Sequence, residues 1–450
     1  MNIAIAGYGI SGRATEYLAR TLGFNVIIVD GAPVENTMSP FLLSDLIVIS
    51  PGIPPWSELY IQAQNSGVEM ISELEFGYRF LPKNIDVIAI TGTNGKTTTV
   101  EMTAELLNAR GINAIACGNI GVAVSEIVAD IHNKKRSNVQ CLVIEVSSFQ
   151  LEHVKEFAPK AAAITNIASD HLDRYHNDIN EYAAVKFNIF NQVNIDNSFL
   201  GNIMRIDSEQ QNFIPDYFKT VKDGVYLNDN VFIVNGKKQF INNAVIDSFA
   251  INIKNNLALT YPHNIDNLSL ALNLANRIKG ISKEEYPVIE EFISNFKVSP
   301  HRIEFVEKKD NITFINDSKA TNPDAVITAI DAVCDVQNSN GSEKYLAIML
   351  GGLNKEMDFS VLKAYANKVQ FLAIYGDCKN ELYDLLHDCF NCQKFTSFED
   401  AFNGSIEDIN SNSSELESIV MLSPGCASMD MFKNYAERGE LFKELVHNLN

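Results

Sequence analysis

A glycine-rich loop that directly follows a short apolar run constrains the fold of this chain more than any other feature. Val87-Ile-Ala-Ile90 is typical of a buried strand, and Thr91-Gly-Thr-Asn-Gly-Lys-Thr-Thr98 separates it from a helical pattern. Glycines let backbone N–H groups approach a phosphate, while Lys96 and Thr97 suit the β- and γ-phosphates and Mg²⁺. Ile90 stands where G-x-x-x-x-G-K-[ST] has its first glycine. A capped helix start is the alternative, but it leaves Lys96 unexplained, so the loop predicts nucleoside triphosphate binding.

A second glycine-rich loop follows the first apolar run of the chain, Asn2-Ile-Ala-Ile-Ala6. Its glycines form the spacing Gly7-x-Gly9-x-x-Gly12, and Asp30 ends the next strand pattern. A strand before such a loop and a helix after it are the context in which a diphosphate binds at a helix N-terminus. The spacing does not separate NAD from another nucleoside diphosphate. Close packing of helix against strand is the alternative reason for these glycines.

The strand and helix pattern begins again twice, after a linker at 81–84 and after Val298-Ser-Pro300. At about 150 residues per domain, 450 residues also suggest three domains. Alternating strands and helices favour parallel sheets. We therefore predict an α/β protein with a Rossmann-like domain at 1–84, a central P-loop-type mononucleotide-binding domain at 85–298 and a Rossmann-like domain at 299–450.

Composition excludes several classes of protein. Lys and Arg number 36 against 56 Asp and Glu, and a net charge of -20 argues against nucleic-acid binding. Hydrophobic residues make up 46%, which argues against a disordered chain. No apolar run reaches about 18 residues and no signal sequence opens the chain, so we expect a cytoplasmic protein without stable membrane association. We also expect a monomer. The lone C-x-x-C at Cys389 and Cys392 has no partner pair at zinc spacing, so reduced thiols are expected.

Further motifs, in the same order along essentially the whole chain, resemble those of the Mur ligases, which are ATP-dependent amide-forming enzymes of peptidoglycan precursor synthesis. The motifs in the last third most resemble those of the member that adds D-glutamate. The matching segments, besides the two glycine-rich loops, are Gly118 to Gly121, Glu145 to Gln150, Asp170 to Tyr175, His263 to Asn267, His301 with Arg302, Asn316 to Asn322, and Ser423 to Tyr435.

This resemblance implies a ligase that joins D-glutamate to UDP-N-acetylmuramoyl-L-alanine through an acyl phosphate, with ATP as co-substrate and two Mg²⁺ ions. A Mur ligase for another amino acid is the alternative within the family. Folylpolyglutamate synthetase shares the ATP loop but lacks the preceding domain. From other classes, an NAD-dependent oxidoreductase would leave Lys96 unexplained, and a non-catalytic nucleotide sensor is disfavoured because the phosphate and metal positions are filled.

Residues of the central motifs suit metal binding and catalysis. Glu145 ends a strand pattern, as metal ligands in such folds do, and His171 stands beside Asp170. By composition Lys186 would be a surface lysine that packs its stem on aromatic rings. The resemblance implies instead that Lys186 is carbamylated and binds the second Mg²⁺. It assigns catalysis to Lys96, Glu145, His171, Lys186 and Lys319, and metal binding to Thr97, Glu145, His171 and Lys186.

The resemblance also assigns the substrate sites. For ATP it implies Gly92, Thr93, Asn94, Gly95, Lys96, Thr97, Thr98, Asn264, Asn267, Arg302 and Asp317, with Arg302 reaching the phosphates only when the C-terminal domain closes. For the UDP-sugar it implies Ile10, Ser11, Asp30, Gly31, Ser50, Gly52 and Asn119. For D-glutamate it implies Lys319, Thr321, Lys355, Ser428, Met429 and Tyr435. The chain departs from the family pattern at Gly31, Tyr261 and Tyr435.

Overall fold

Two compact units make up the chain. The structure, a computed structural model, describes residues 1–31, 40–201, 232–234, 237–239, 256, 259, 262–338, 344–355, 357–412 and 416–449. The first unit comprises the described residues within Met1–Ala168, Leu172–Asn255 and Asp266–Asn295, and the second those within Ser169–His171, Asn256–Ile265 and Phe296–Asn450. Tyr261, one of the expected departures from the family pattern, lies outside the described residues.

The first unit opens with a parallel sheet in the order β2-β1-β3-β4. Its buried strands are short apolar runs, as expected where helices cover a parallel sheet. The glycine loop 7–12 follows β1 at the carboxyl edge, where the loops after β2 and β3 also emerge. The elements are β1 (Asn2–Ala6), α1 (Ile10–Thr21), β2 (Asn25–Val29), β3 (Leu46–Ile49), α2 (Glu58–Asn65), β4 (Met70–Ser72) and α3 (Glu73–Arg79).

A second parallel sheet, in the order β6-β7-β5-β8-β9, follows in the same unit. β5 is central, so the loop after it lies between the ends of β7 and β8. The elements are β5 (Asp86–Thr91), α4 (Lys96–Ala109), β6 (Ala114–Gly118), α5 (Val124–His132), β7 (Cys141–Glu145), α6 (Ser148–Leu151), β8 (Ala161–Ile164), α7 (Ile179–Phe187), β9 (Ser198–Leu200), an antiparallel pair β10 (Phe232–Val234) and β11 (Lys237–Gln239), α8 (Pro262–Ile278) and α9 (Tyr286–Asn295).

One hydrophobic core joins the two sheets of the first unit. It contains Ile3 and Leu18 of the first sheet's layers, Phe76 of α3, and Ala89 and Ile127 of the second sheet's layers. A buried carboxylate adds hydrogen bonds between the layers of the two sheets. Glu75 on α3 accepts from the backbone N–H groups of residues 155–157 at 2.8–3.1 Å. The first sheet is therefore packed directly on the domain that carries the Lys96 loop.

The second unit is built on a sheet in the order β12-β13-β17-β14-β15-β16. All its pairings are parallel except β12 with β13, which is antiparallel at the edge. Apolar side chains are buried on both faces of the sheet. The elements are β12 (Glu304–Lys309), β13 (Ile312–Asn316), α10 (Pro323–Asn338), β14 (Tyr345–Gly351), β15 (Phe371–Tyr375), α11 (Lys379–Leu386), β16 (Cys392–Lys394), α12 (Phe398–Asn412), β17 (Ser418–Gly425) and α13 (Tyr435–Asn448).

The predicted α/β class with parallel sheets is confirmed. The strands predicted at 2–6 and 87–90, and those predicted to end at Asp30 and Glu145, are present with their ends within a few residues. Each of the three larger sheets lies within one predicted domain range. The domain boundaries at 84 and 298 stay a prediction.

Within the described ranges, no helix combines the length and the apolar character needed to cross a bilayer. Cys389 and Cys392 are free thiols.

Candidate functional site

The loop between β5 and α4 has the shape that the sequence predicts for phosphate binding. α4 begins at Lys96, and Gly95 precedes it with a φ of 81°. A Cβ on Gly95 would lie 2.6 Å from Oδ1 of Asn267, so another residue would be both strained and crowded there. Thr97 and Thr98 lie in the first turn, the part of a helix whose backbone N–H groups can bind an anion. Asn267, expected at the ATP site, therefore contacts this loop.

Polar residues after β8 hold the loop from the other side. Asn94 donates its backbone N–H to Oδ1 of Asn166 at 2.9 Å, and its carbonyl oxygen accepts from the Thr165 hydroxyl and the Asn166 amide. The Thr93 hydroxyl donates to the carbonyl oxygen of Ala168 at 3.1 Å. Thr165 and Asn166 are not among the site residues predicted from the sequence. The sequence does contain a pattern that could have identified them, because two polar residues directly follow an apolar strand at the carboxyl edge of the sheet.

Two lysines converge on one carbonyl oxygen of the loop. Lys96 Nζ and Lys186 Nζ each donate to the Gly92 oxygen at 2.9 Å, and Lys96 also donates to the Thr93 oxygen at 2.7 Å. Lys186 is only 2% exposed, and its ammonium lies 4.5 Å from the centre of the Tyr182 ring. The alternative of a surface lysine is therefore wrong. Both ammonium groups therefore lie at the loop that the sequence predicts for phosphate binding.

Glu145 occupies the end of β7, beside the loop. Its Oε2 accepts from the Thr97 hydroxyl at 2.8 Å and its Oε1 from the Asn119 amide at 3.0 Å, and the residue is 2% exposed. Carboxylate and hydroxyl oxygens are the ligands that Mg²⁺ takes, and Mg²⁺ is commonly held by one or two carboxylates together with substrate phosphates. These residues fit the expected ion. Asn119, assigned by resemblance to the UDP-sugar site, lies against Glu145.

The described part of the chain contains no group of three or more His, Cys, Asp or Glu residues arranged to hold a metal by themselves. His171 belongs to the second unit, with a positive φ of 53° and a side chain that is 39% exposed. Its Nε2 lies 3.7 Å from Oδ1 of Asp170. Asn264, expected at the ATP site, is buried near the start of α8.

Gly118 packs closely against the backbone of Glu145, and this close approach gives a first prediction. A Cβ on Gly118 would lie 2.4 Å from the Glu145 carbonyl oxygen, whereas one on Gly121 would meet no atom within 4 Å. Both glycines have a positive φ, at 106° and 62°. We expect Gly121→Ala to lower the free energy of unfolding by about 1 kcal/mol and Gly118→Ala by at least about twice that. Thermal unfolding of the two variants measures the difference, and equal losses would contradict the backbone clash.

The first glycine loop lies where the sequence predicts, between β1 and α1. Asp30 Oδ1 accepts the backbone N–H of Tyr8 at 3.2 Å, and the Ser50 hydroxyl donates to the Gly7 oxygen at 2.7 Å. The loops after β1, β2 and β3 thus meet at one edge. The other residues expected here are Ile10, which is 70% exposed, the partly exposed Ser11, and the exposed Gly31 and Gly52.

In the second unit, the loops after β14 and β17 are paired. The backbone N–H groups of Leu353 and Ala427 each donate to the other residue's carbonyl oxygen, at 2.8 and 3.1 Å. This pairing brings together the loops that carry Lys355 and Ser428. Lys319 follows β13, with its ammonium 5.0 Å from the centre of the Tyr435 ring. Of the remaining expected D-glutamate residues, Ser428 is buried, Thr321 is partly exposed, and Lys355 and Met429 are exposed.

Asp317, at the end of β13, is a buried carboxyl group. Its Oδ2 accepts from the Ser423 hydroxyl at 2.9 Å and its Oδ1 from the backbone N–H of Ile303 at 3.2 Å. Burial raises the pKa of Asp317 to about 7. The two hydrogen bonds and, less strongly, the positive charges of Arg302 and Arg438 only partly oppose that effect. Arg302 Nε is buried and has no hydrogen-bond partner among the described residues.

The raised pKa of Asp317 predicts a dependence of stability on pH. Between its unfolded pKa of 3.8 and its folded pKa of about 7, the folded chain keeps a proton that the unfolded chain releases. This contribution is fully present below pH 3.8 and is lost as the pH rises through 7. We expect wild type to lose stability between these pH values more steeply than Asp317→Asn, by on the order of a few kcal/mol. Urea midpoints at pH 5 and 7 measure this, and parallel slopes would contradict it.

Comparison with known proteins identifies the family. The Mur ligase middle domain matches residues 90–275, and the Mur ligase, glutamate ligase domain matches residues 301–424. The chain is 33% identical to a UDP-N-acetylmuramoylalanine--D-glutamate ligase of Alkaliphilus metalliredigens, over 90% of this chain and 84% of that protein. It is 35% identical to the protein of the same name in Thermoanaerobacter sp., over 99% of this chain and 98% of that one.

Solved structures share the fold. MurF of Acinetobacter baumannii matches with a TM-score of 0.55 at 15% identity, covering 96% of this chain and 98% of that chain. Folylpolyglutamate synthase of Mycobacterium tuberculosis, complexed with ADP and AMPPCP, matches with a TM-score of 0.55 at 15% identity, over 80% of this chain and 91% of that chain. With the glycine loop, the two lysines and the buried glutamate in place, and relatives matching along nearly its full length, the chain belongs to the Mur ligase family.

Proposed function

We propose that this chain joins D-glutamate to UDP-N-acetylmuramoyl-L-alanine with hydrolysis of ATP to ADP and phosphate. The observation that carries the proposal is the convergence of Lys96 and Lys186 on the Gly92 carbonyl oxygen, with Glu145 bound to Thr97 in the same loop-helix unit. Such a site suits phosphoryl transfer, in which catalysis consists of positioning and charge stabilisation. The substrate assignment follows the names of relatives that match nearly the whole chain.

In the proposed reaction, the loop and Lys96 bind the β- and γ-phosphates of ATP. A carboxylate oxygen of the substrate alanine attacks the γ-phosphorus, and the bond to the β,γ-bridging oxygen breaks, which leaves ADP and an acyl phosphate. The neutral amine of D-glutamate then attacks the acyl carbon. Phosphate leaves as the amide forms, and the amine loses a proton. Lys96 stabilises the negative charge that develops on the transferred group.

Glu145 and Thr97 are the proposed ligands for one Mg²⁺, with Asn119 orienting the Glu145 carboxylate. When bound, Mg²⁺ supplies positive charge at the phosphate oxygens. Lys186 is the proposed site of carbamylation. Its ammonium would first lose a proton, and the neutral amine would add CO₂ and release a second proton to give a negatively charged carbamate. The exchange would replace repulsion between Lys186 and Lys96 by attraction, and oxygen atoms would become available for a second Mg²⁺. His171 is a proposed further ligand.

The other substrate sites are proposed by family resemblance together with position. In the first unit, the edge formed by Ser11, Asp30 and Ser50 is proposed to hold the UDP group. In the second unit, Lys319 and Lys355 are proposed to bind the carboxylates of D-glutamate, with Ser428 as a hydrogen-bond donor. Asp317 is proposed to bind the ATP ribose. We further propose a monomer that acts in the cytoplasm.

Phosphate release with a panel of amino acids tests the function. The assay contains ATP, Mg²⁺, UDP-N-acetylmuramoyl-L-alanine and one of D-glutamate, L-glutamate, L-alanine or meso-diaminopimelate. We expect turnover with D-glutamate and with none of the others. Turnover with another amino acid would keep the mechanism and change the substrate assignment, whereas reduction of NAD in a parallel assay would overturn the ligase proposal. None of the relatives reported above is an oxidoreductase.

A further inference from the structure

Arg174 belongs to the Asp170 to Tyr175 motif, and the proposed mechanism gives it no role. Its Nε and Nη2 donate to the two carboxylate oxygens of Glu152 at 2.7 and 2.6 Å, and its guanidinium lies 4.5 Å from the centre of the Phe149 ring. The Tyr175 hydroxyl donates to the same carboxylate at 2.9 Å. The Arg174 side chain is 8% exposed. The second sheet's layers therefore hold this guanidinium in a fixed position.

The remaining nitrogen of Arg174 reaches the first sheet. Nη1 donates to the carbonyl oxygen of Ile53 at 3.2 Å and lies 3.5 Å from that of Pro51. These residues form the turn after β3, closed by the Ile53 N–H donating to the Ser50 oxygen at 3.1 Å. Prolines at 51, 54 and 55 leave this segment with few N–H donors of its own. Its position thus depends on donors from elsewhere.

The same turn contacts the first glycine loop on its other side. The Ser50 hydroxyl donates to the Gly7 oxygen, and the Ile53 side chain lies so close to Gly7 that a Cβ there would be 2.9 Å from Ile53 Cδ1. The turn is therefore held between Gly7 and Arg174. Ser50 and Gly52, both in this turn, are among the residues proposed for the UDP-sugar.

We propose that Arg174 is a positioning residue for the sugar-nucleotide substrate, which fixes the 50–53 turn against the first glycine loop. The inference rests on the proposed function, because the turn matters for catalysis only if a sugar nucleotide binds there. Arginine is required because its planar fork binds Glu152 through two nitrogens and leaves a third for the Ile53 carbonyl oxygen. A lysine ammonium in this position keeps the charge but cannot make both contacts.

Steady-state kinetics and equilibrium binding of Arg174→Lys and Arg174→Gln test the proposal. We expect KM for UDP-N-acetylmuramoyl-L-alanine, and Kd for the same compound by titration calorimetry, to rise about 10-fold in both variants, since a charge-assisted hydrogen bond is lost. We expect KM for ATP and kcat to stay within about twofold, because the phosphate loop and its partners are untouched.

Arg79→Gln is the matched control. Arg79 also pairs with buried and partly buried carboxylates of the first unit, Glu75 at 2.8 Å and Glu69 at 2.9 Å, and its side chain is 16% exposed. Its loss should lower the melting temperature without raising KM for the sugar nucleotide. If Arg174→Gln does not fold, Arg174→Lys decides the question, since it retains a cation beside Glu152.

Unchanged sugar-nucleotide binding in folded Arg174→Lys would overturn the positioning role. An equal rise in KM with Arg79→Gln would overturn it too, because a general loss of stability would then explain the effect. Failure of the proposed function looks different: the wild-type chain itself would bind no sugar nucleotide in the calorimeter.

Discussion

Lys186→Ala is expected to reduce ligase turnover by about 10³-fold, which corresponds to about 4 kcal/mol of transition-state stabilisation. The residue is 2% exposed and donates to the oxygen of Gly92, inside the loop proposed to hold the ATP phosphates. If its proposed carbamate supplies oxygen ligands for Mg²⁺, the alanine variant loses them together with the side chain. Phosphate release at saturating substrates measures the loss.

Chemical rescue separates the carbamate from a simple lysine role. Lys186→Ala removes about four heavy atoms from a buried position, as many as acetate contains, so we expect acetate to restore part of the activity. Lys186→Met fills about the same space as lysine. We expect this variant to be as inactive as Lys186→Ala, and we expect acetate not to restore its activity. Lys160→Ala is the control for loss of a positive charge, because Lys160 is exposed and paired with Asp86 at 2.9 Å; it should retain full activity. If methylamine restored the activity of Lys186→Ala and acetate did not, the ammonium itself would be needed. That result would contradict the proposed carbamate.

Glu145→Gln is expected to lower kcat by about 10²- to 10³-fold and to raise the Mg²⁺ concentration needed for half-maximal rate. The substitution preserves shape but removes the negative charge. It also turns an acceptor into a donor facing either the Thr97 hydroxyl or the Asn119 amide, both of which now donate to Glu145. Initial rates over a titration of Mg²⁺ at fixed ATP measure both effects.

Glu73→Gln provides the comparison for Glu145→Gln. Glu73 is also buried in the first unit, where burial raises the pKa of its carboxyl group and the Ser125 N–H donates to it at 2.6 Å. Because burial disfavours the charged form there, a neutral amide should be tolerated, and we expect near-normal rates and an unchanged Mg²⁺ requirement. A normal Mg²⁺ requirement in Glu145→Gln would remove Glu145 from the proposed metal site.

Local patterns were sufficient for much of the fold. Each strand of the two parallel sheets in the first unit that the sequence predicted is an apolar run, and the glycine spacing marked both loops at their carboxyl ends. The structure adds β6, the antiparallel edge strand β12 and the strands β4, β9 and β16, none of which the sequence predicted. The last three have only 3 residues each, too few for a distinctive pattern. The roles of the predicted site residues stay a prediction, although the structure brings several of them together.

The sequence by itself determined the segments that local patterns mark. These are the apolar runs, the two glycine loops, and the lysine and threonine that follow Gly95. Tertiary structure alone decided which distant residues meet at these loops. The placement of β5 between β7 and β8 brings Glu145 and Thr165 to the same loop, and the packing of α7 buries Lys186 against Gly92. Composition assigned that lysine to the surface, because burial of a charged side chain is decided by partners far away in the chain and not by its neighbours in sequence.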